Sequence, residues 1–184
     1  MKVGLIGAGR QGRRRAQAVK ELEETELAIV ADVDSRAARA LAKDLGCEAT
    51  NNWEEVVARN DLEAVIICTP NHLHAPMSIA ALRRRKHVLC EKPLARDPEE
   101  AEKIVNAAKE GGVKLKCGLT LRHHPGIQHA REWFDRGFIG ELIFLRCRYG
   151  ICGRPGYDKE WRAKFEFSGG GELIDQGIHV LDLF

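Results

Sequence analysis

The chain has 184 residues, of which 44% are hydrophobic and 30% are charged, as in an ordinary globular protein. Its 29 Lys and Arg residues nearly balance its 27 Asp and Glu residues, and a net charge of +2 argues against a nucleic-acid or membrane-surface partner. No stretch approaches the roughly 20 apolar residues of a membrane span, and the first residues lack the features of a signal peptide. We therefore expect a cytoplasmic protein with neither partner.

The cysteines and the runs of basic residues both predict ordinary structural roles. The six cysteines form no CxxC pair, so we expect reduced thiols and no zinc site. Cys68, Cys90 and Cys117 end apolar runs, which predicts that they are unpaired and largely buried. The runs at residues 13–15 and 83–86 are predicted to be solvated helix faces.

Apolar runs alternate with helical patterns through the first 120 residues. The predicted strands cover residues 2–7, 26–34, 62–70, 87–91 and 113–119. The predicted helices cover residues 10–23, 35–45, 52–59, 74–86 and 97–110. Asn52 and Asp97 are the predicted N-caps of two of them. Strands rich in Val, Ile and Leu that alternate with helices predict a doubly wound parallel α/β domain over residues 1–120.

The remaining residues, 121–184, follow a different pattern. A helix is predicted over residues 125–136, and the alternation of apolar and polar residues over 140–150 predicts a half-exposed, antiparallel strand. A last helix is predicted over residues 171–184. One strand and one helix cannot bury their own apolar faces. We therefore expect the beginning of an α+β domain with an open antiparallel sheet, cut short at residue 184, and an apolar stripe on the last helix with incomplete cover.

The sequence GAGRQG contains the GxGxxG pattern directly after the first predicted strand and at the start of a helix. Gly7 allows a tight turn, Gly9 allows close approach of a pyrophosphate, and Gly12 allows close packing. With Arg10 and Gln11, these residues begin a helix whose N-terminal N–H groups favour phosphate. This context predicts a dinucleotide site, against the alternative of a structural glycine turn.

Asp32 ends the second predicted strand, about 20 positions after Gly12, as the dinucleotide pattern requires. Its carboxylate suits the ribose 2′-hydroxyl and repels a 2′-phosphate, which predicts NAD as the cofactor. Arg36 and Arg39 keep NADP open as the alternative, because either guanidinium has the length to reach a phosphate.

The segment TPNHLH begins at the end of the strand predicted over residues 62–70. Ligands of open α/β sheets bind beyond the carboxyl ends of the strands, so Thr69, Pro70, Asn71 and His74 are predicted to lie over the cofactor. The alternative for His74 is a helix-capping histidine.

The sequence CEKP ends the next strand and places Lys92 in the same predicted crevice. There Lys92 would serve in proton transfer, against the alternative of a surface lysine in a turn. Asp175 and His179 lie one turn apart on the last predicted helix, as a candidate acid/base pair. The alternatives for them are a polar pair on a solvated face and two ligands of a metal; no third ligand is evident, so no metal is predicted.

The motifs GAGRQG, TPNHLH, EKP and GGGELIDQGIH, in that order, resemble the glucose-fructose oxidoreductase / inositol dehydrogenase / MocA family. The resemblance covers the whole chain and implies a Rossmann domain that binds NAD(P). It implies a second domain with an open, mainly antiparallel sheet that binds substrate and forms a homo-oligomer at full length. By position, it assigns the site to Lys92, Asp175 and His179 and gives Glu91 a role in holding the nicotinamide ribose. The Lys92–Pro93 bond is often cis in such proteins.

The reaction implied by this resemblance is hydride transfer between nicotinamide and a secondary alcohol of a sugar, cyclitol or nucleotide sugar. Lys92, Asp175 and His179 would then converge on one cleft. Because the sheet of this family continues beyond the last motif, we expect the chain to be a fragment of a longer protein or a truncated gene product. Two other hypotheses stay open: a non-catalytic dinucleotide-binding regulator, and a cofactor-binding fragment without turnover.

Overall fold

The computed structural model describes residues 1–150 and 155–184. The chain divides into two units, Met1–Gly118 and Leu119–Phe184. Cys152, one of the six cysteines predicted to be reduced, lies outside the described residues, as does part of the loop that follows Gly150.

The first unit is built on a six-stranded sheet in which every neighbouring pair is parallel. Its strands are Lys2–Ile6 (β1), Glu26–Ala31 (β2), Glu48–Thr50 (β3), Ala64–Ile67 (β4), His87–Cys90 (β5) and Leu115–Cys117 (β6). Their order, β3-β2-β1-β4-β5-β6, is that of the Rossmann fold, and it reverses between β1 and β4. The predicted doubly wound fold is confirmed, and β3 is an additional short strand that the pattern did not predict.

Five helices connect these strands, close to their predicted ranges. They are Arg10–Glu21 (α1), Ser35–Leu45 (α2), Trp53–Ala58 (α3), His74–Arg83 (α4) and Pro98–Gly111 (α5). Both predicted N-caps are confirmed: Asn52 Oδ1 accepts a hydrogen bond from the Glu54 N–H at 2.9 Å, and Asp97 Oδ1 accepts one from the Glu100 N–H at 2.8 Å.

The core lies on both faces of the sheet because successive strand residues point to opposite sides. In β4, Val65 and Ile67 face a layer that includes buried residues of α3, α4 and α5, whereas Ala64 and Ile66 face a layer that includes buried residues of α1 and α2. Every residue of β4 is therefore buried. Apolar cover on both faces explains why this strand is a continuous apolar run.

One row of paired residues crosses the sheet at its carboxyl edge. Ile6 pairs with Ala31 on one side and with Ile67 on the other, and Ile67 pairs in turn with Cys90. Cys90 pairs with Cys117. The loops that follow β2, β1, β4, β5 and β6 therefore all begin at one level of the sheet.

The second unit contains short helical segments: Pro125–Asp135 (α6), Phe165–Ser168 (α7) and Ile178–Leu183 (α8), with a π-helical turn over Leu173–Gly177. Residues 140–150, predicted as a strand, form none, and this prediction is wrong. A strand needs a neighbour to satisfy its N–H and C=O groups, and the described residues of this unit contain no strand that could pair with it. Ile143 and Phe144 in this segment are 90% and 75% exposed.

The apolar stripe of the last helical segment is only partly covered. Leu173 and Leu181 are exposed, while Ile174 and Val180 are half-buried. The predicted incomplete cover is confirmed at Leu173 and Leu181.

In the described residues, no helix is both long enough and apolar enough to cross a membrane.

The cysteines of the described ranges are unpaired, as predicted. Cys90 is buried, but Cys68 and Cys117 are only half-buried, so the prediction of burial is confirmed for Cys90 alone. Burial raises the pKa of the Cys68 thiol to about 12, with a further contribution from the Glu91 carboxylate. Burial also raises the pKa of Cys90. Both groups are protonated at neutral pH and serve as packing groups rather than nucleophiles.

Candidate functional site

The turn between β1 and α1 requires its glycines for steric reasons. Gly7 has φ +101°, and a Cβ on it would lie 2.5 Å from the Cys68 carbonyl oxygen. A Cβ on Gly12 would lie 1.8 Å from the Gly7 carbonyl oxygen. Neither contact can be relieved by a side-chain rotation, because each is made to backbone. The turn is therefore held in one shape.

Gly9, in contrast, faces open space: a Cβ built on it meets no atom of residues 1–150 or 155–184 within 4 Å. Gly9 is the N-cap of α1, where no side chain caps the helix, and the first helical bond runs from the Arg13 N–H to the Gly9 carbonyl. Arg10 is exposed and Gln11 is half-buried at the first helical positions. Open space beside uncapped N–H groups fits the pyrophosphate of a dinucleotide.

Asp32 is joined to this turn directly. Its Oδ2 accepts a hydrogen bond from the Ala8 N–H at 2.6 Å, and its Oδ1 accepts one from the Asp34 N–H at 2.9 Å. The carboxylate thus holds the glycine turn against the end of β2. Each of its oxygens can accept a second bond, and the half-buried side chain fits a ribose hydroxyl. Arg36, which follows on α2, is exposed.

The loop after β4 begins beside the glycine turn, since the Cys68 N–H donates to the Ile6 carbonyl at 2.7 Å. Thr69 and Pro70 are half-buried, and Asn71 is buried at the start of a 3₁₀ turn over Asn71–Leu73. These residues lie at the switch point between β1 and β4, where open α/β sheets bind their ligands.

His74 is predicted to lie over the cofactor, and this contact stays a prediction. Its side chain is fully buried, with Nδ1 2.8 Å from the Pro93 carbonyl oxygen and Nε2 2.9 Å from the Thr69 carbonyl oxygen. The imidazole joins the loop after β4 to the loop after β5. Burial lowers the pKa of His74, and His72 lowers it further, while the two carbonyls and Glu91 oppose this. A neutral ring has one N–H and donates to one carbonyl at a time.

This burial predicts a pH dependence of stability. The pKa of His74 in the folded chain lies below its ordinary 6.5. Between these two pKa values the unfolded chain binds more protons at His74 than the folded chain does. The free energy of unfolding should therefore fall as pH drops below about 6.5 and be insensitive to His74 above it. Urea titrations at several pH values should show a flatter acid limb in His74→Gln than in His123→Gln, which alters an exposed histidine. Parallel acid limbs in the two variants would contradict the prediction.

The loop after β5 carries the Glu-Lys-Pro sequence. The Glu91 N–H donates to the Ile67 carbonyl at 2.9 Å, which continues the pairing of β5 with β4. The Lys92–Pro93 bond is cis. Lys92 is half-buried, whereas Glu91 and Pro93 on either side of it are buried. Arg15 of α1 forms an ion pair with Glu91, with Nη2 2.6 Å from Oε1.

In the second unit, Asp175 lies in the π-helical turn and is half-buried, and His179 lies in α8 and is buried. The Tyr149 ring lies edge-on to the His179 ring, with centroids 6.1 Å apart. Burial raises the pKa of Tyr157, and the Asp175 and Glu172 carboxylates raise it further. Two tyrosines thus accompany the predicted acid/base pair. The described residues contain no cluster of three or more potential metal ligands.

The comparisons with known proteins agree with this geometry. Residues 1–119 match the oxidoreductase family with an NAD-binding Rossmann fold, GFO/IDH/MocA, and residues 127–184 match a C-terminal domain of the same family. The chain belongs to the GFO/IDH/MocA family. The resemblance noted in the sequence is confirmed, and so is the prediction of an NAD-binding domain.

Two curated relatives and one solved structure are similar to this chain. Levoglucosan dehydrogenase of Pseudarthrobacter phenanthrenivorans is 30% identical, over 100% of this chain and 50% of its own. Inositol 2-dehydrogenase of Rhizobium meliloti is 32% identical, over 100% of this chain and 53% of its own. A solved levoglucosan dehydrogenase in complex with NADH and levoglucosan has a TM-score of 0.88 and 29% identity, and the match covers 100% of this chain and 52% of that structure's chain. The chain spans about half the length of these relatives.

Arg15 is the residue of this site that the sequence pattern missed. Arg13, Arg14 and Arg15 were predicted together as a solvated face, and the first two are exposed, but Arg15 is half-buried against Glu91. The buried face of α1 contains Gly12, Ala16 and Val19. Arg15 follows Gly12 by three positions and so borders that face. A helical-wheel projection is therefore the signal that separates it from its neighbours.

Proposed function

We propose that the chain is the cofactor-binding part, with the beginning of the substrate domain, of an NAD-dependent dehydrogenase. Its substrate would be a secondary alcohol of a sugar, cyclitol or nucleotide sugar. The observation that carries the proposal is the row of residues at the carboxyl edge of the sheet. The glycine turn and Asp32 begin one residue after that row, and Thr69 and Lys92 lie two residues after it. Family membership supports the same reaction class.

We infer that the dinucleotide would bind along the carboxyl edge of the sheet in the first unit. The pyrophosphate would lie on the N–H groups at Gly9, Arg10 and Gln11. Asp32 would accept a hydrogen bond from the adenosine ribose, and the loop over Thr69, Pro70 and Asn71 would lie along the dinucleotide. Glu91 would hold the nicotinamide ribose. These assignments rest on the open space beside Gly9 and on the pairing of the strands.

NAD, when bound, supplies the acceptor of the hydride. The residues of the chain act on the alcohol itself. The Lys92 ammonium donates a hydrogen bond to the hydroxyl oxygen, and the neutral imidazole of His179 takes the hydroxyl proton as general base. Asp175 orients that imidazole and stabilises its charged form. In the reverse direction, His179 returns the proton to the carbonyl oxygen. Because Lys92 and the Asp175–His179 pair belong to different units, their convergence stays a prediction.

The test is a titration with NADH followed by a turnover assay. Binding is measured by NADH fluorescence, and turnover by NADH absorbance with a panel of sugars and cyclitols, in this chain and in the natural gene product that contains it. Binding with turnover supports the dehydrogenase. Binding without turnover in the gene product indicates a regulator, and binding without turnover in this chain alone indicates a fragment that lacks part of its substrate site. Absence of NADH binding would refute all three.

The choice between NAD and NADP is predicted to depend on the charge of Asp32. Asp32→Asn keeps an oxygen that can accept from Ala8 but removes the charge, so it should narrow the preference for NADH over NADPH. Asp32→Ala also removes the hydrogen bond that holds Ala8 of the glycine turn, so it should weaken the binding of both NADH and NADPH. The dissociation constants of the two nucleotides measure this. If the unaltered chain binds NADPH tenfold more tightly, about 1.4 kcal/mol, Arg36 replaces Asp32 as the residue that selects the cofactor.

Oligomerisation through the second unit and a cytoplasmic location stay predictions. Size-exclusion chromatography of the natural gene product tests the first of these.

A further inference from the structure

An ion pair links the helix of the glycine turn to the Glu-Lys-Pro loop. Arg15 of α1 donates from Nε to Glu91 Oε1 at 2.7 Å, and its Nη2 lies 2.6 Å from the same oxygen. The Glu91 side chain is 10% exposed and that of Arg15 is 24% exposed. A carboxylate as buried as this is costly to leave without a cation. Two donors on one oxygen are geometry that the guanidinium provides and a lysine does not.

The rest of Glu91 is held equally closely. Its N–H is bonded to the carbonyl of Ile67. The second carboxylate oxygen, Oε2, lies over Gly118, where an added Cβ would come within 2.9 Å of it. Gly118 is itself held by a hydrogen bond from its N–H to the Cys90 carbonyl at 2.7 Å. Glu91 is thus held by α1, by β4 and by Gly118, the residue that follows β6, and the next residue after Glu91 is Lys92.

We propose that Arg15 is a positioning residue for the nicotinamide half of the cofactor. It holds Glu91 Oε1 so that Glu91 and the backbone of Lys92 are preorganised where the nicotinamide ribose would lie. The proposal rests on the proposed function. One helix would then present N–H groups to the pyrophosphate at its first turn and hold Glu91 from its second turn.

The test compares a whole dinucleotide with half of one. NADH contains the nicotinamide ribose, whereas ADP contains only the adenosine and the pyrophosphate. Arg15→Gln should weaken the affinity for NADH about tenfold or more, because Glu91 is left without its cation. The same change should alter the affinity for ADP by less than about twofold. Arg14→Gln, the same change at an exposed neighbour, should alter neither. Arg15→Lys should recover part of the NADH affinity.

A double-mutant cycle separates this role from a direct contact between Arg15 and phosphate. If Arg15 acts through Glu91, adding Arg15→Gln to Glu91→Gln should weaken NADH little further. If the guanidinium contacts the pyrophosphate, the two effects should multiply and ADP should weaken as well, which overturns the proposal. In Gly118→Ala, the added Cβ should displace the Glu91 carboxylate while Arg15 stays unchanged. This variant should therefore also weaken the affinity for NADH and leave the affinity for ADP unchanged.

Circular dichroism and thermal melting check that each variant folds. If Arg15→Gln does not fold, Arg15→Lys and Gly118→Ala decide by the same comparison of NADH with ADP. Unaltered NADH affinity in the folded Arg15 variant, with NADH binding intact in the original chain, overturns this inference alone. Failure of the original chain to bind NADH overturns the proposed function and this inference together.

Discussion

Lys92→Met is expected to reduce turnover by about 10²–10³-fold, the usual cost of removing one preorganised hydrogen-bond donor from an oxygen that develops negative charge, while the affinity for NADH stays nearly unchanged. Methionine keeps most of the length of the side chain and removes the ammonium. The proposed contact of Lys92 is to the reacting hydroxyl, so the loss should fall on kcat rather than on dinucleotide binding. Steady-state kinetics of the natural gene product, with the alcohol that the panel identifies, measures the effect.

The matched control for this change is Lys103→Met, which alters an exposed lysine of α5. It should leave turnover and NADH affinity unaltered. A Lys92→Met variant that turns over at the original rate would remove Lys92 from the chemistry. A variant that loses NADH affinity and turnover in the same proportion would instead assign Lys92 to cofactor binding.

Gly9→Ala and Gly12→Ala are expected to separate cofactor binding from folding. A Cβ on Gly12 would lie 1.8 Å from the Gly7 carbonyl oxygen, so the turn must shift. Overpacking of this kind typically costs about 1–3 kcal/mol of stability, and NADH binding should be lost with the shape of the turn. A Cβ on Gly9 meets no atom of the described residues within 4 Å. Gly9→Ala should therefore keep its stability and lose NADH binding, because the methyl group would occupy the space proposed for the pyrophosphate.

Thermal unfolding and NADH fluorescence on the same samples give the two readouts. Gly150→Ala is the control, since a Cβ there also meets none of the residues that the structure describes within 4 Å, and Gly150 lies outside the glycine turn. If Gly9→Ala binds NADH as well as the original chain does, the pyrophosphate does not lie on this turn. If Gly12→Ala melts with the original chain, the turn is more tolerant than its backbone contacts indicate.

The first unit was predictable in most of its elements because its signals are local. The strand β4 is a continuous apolar run, and α5 begins with Asp97 and Pro98 and ends at Gly112, which has φ +64°. Each of these signals depends on neighbours a few residues away. The strand β3 was missed because it has three residues, Glu48–Thr50, none of them buried. Such an edge strand is defined by its pairing with β2 rather than by its own composition.

The strand predicted over residues 140–150 shows the limit of the alternating pattern. The pattern describes which side chains would share a face, but a strand also needs a partner for its backbone. Among the described residues of the second unit, no segment supplies one. The alternation is therefore present in the sequence without the structure that it predicts.

The sequence by itself determined the parallel, doubly wound class of the first unit, the glycine turn and the acidic residue at the end of β2, because local periodicity and the sterics of glycine specify them. Only the tertiary structure decided which polar side chains are buried and what they hold. Arg15 differs from Arg14 because α1 turns it towards Glu91, 76 positions along the chain. His74 is buried because α4 places it between two loops, with Pro93 19 positions away. A helical wheel places Arg15 beside the buried face of α1, but the partners Glu91 and Pro93 belong to segments that are remote in sequence.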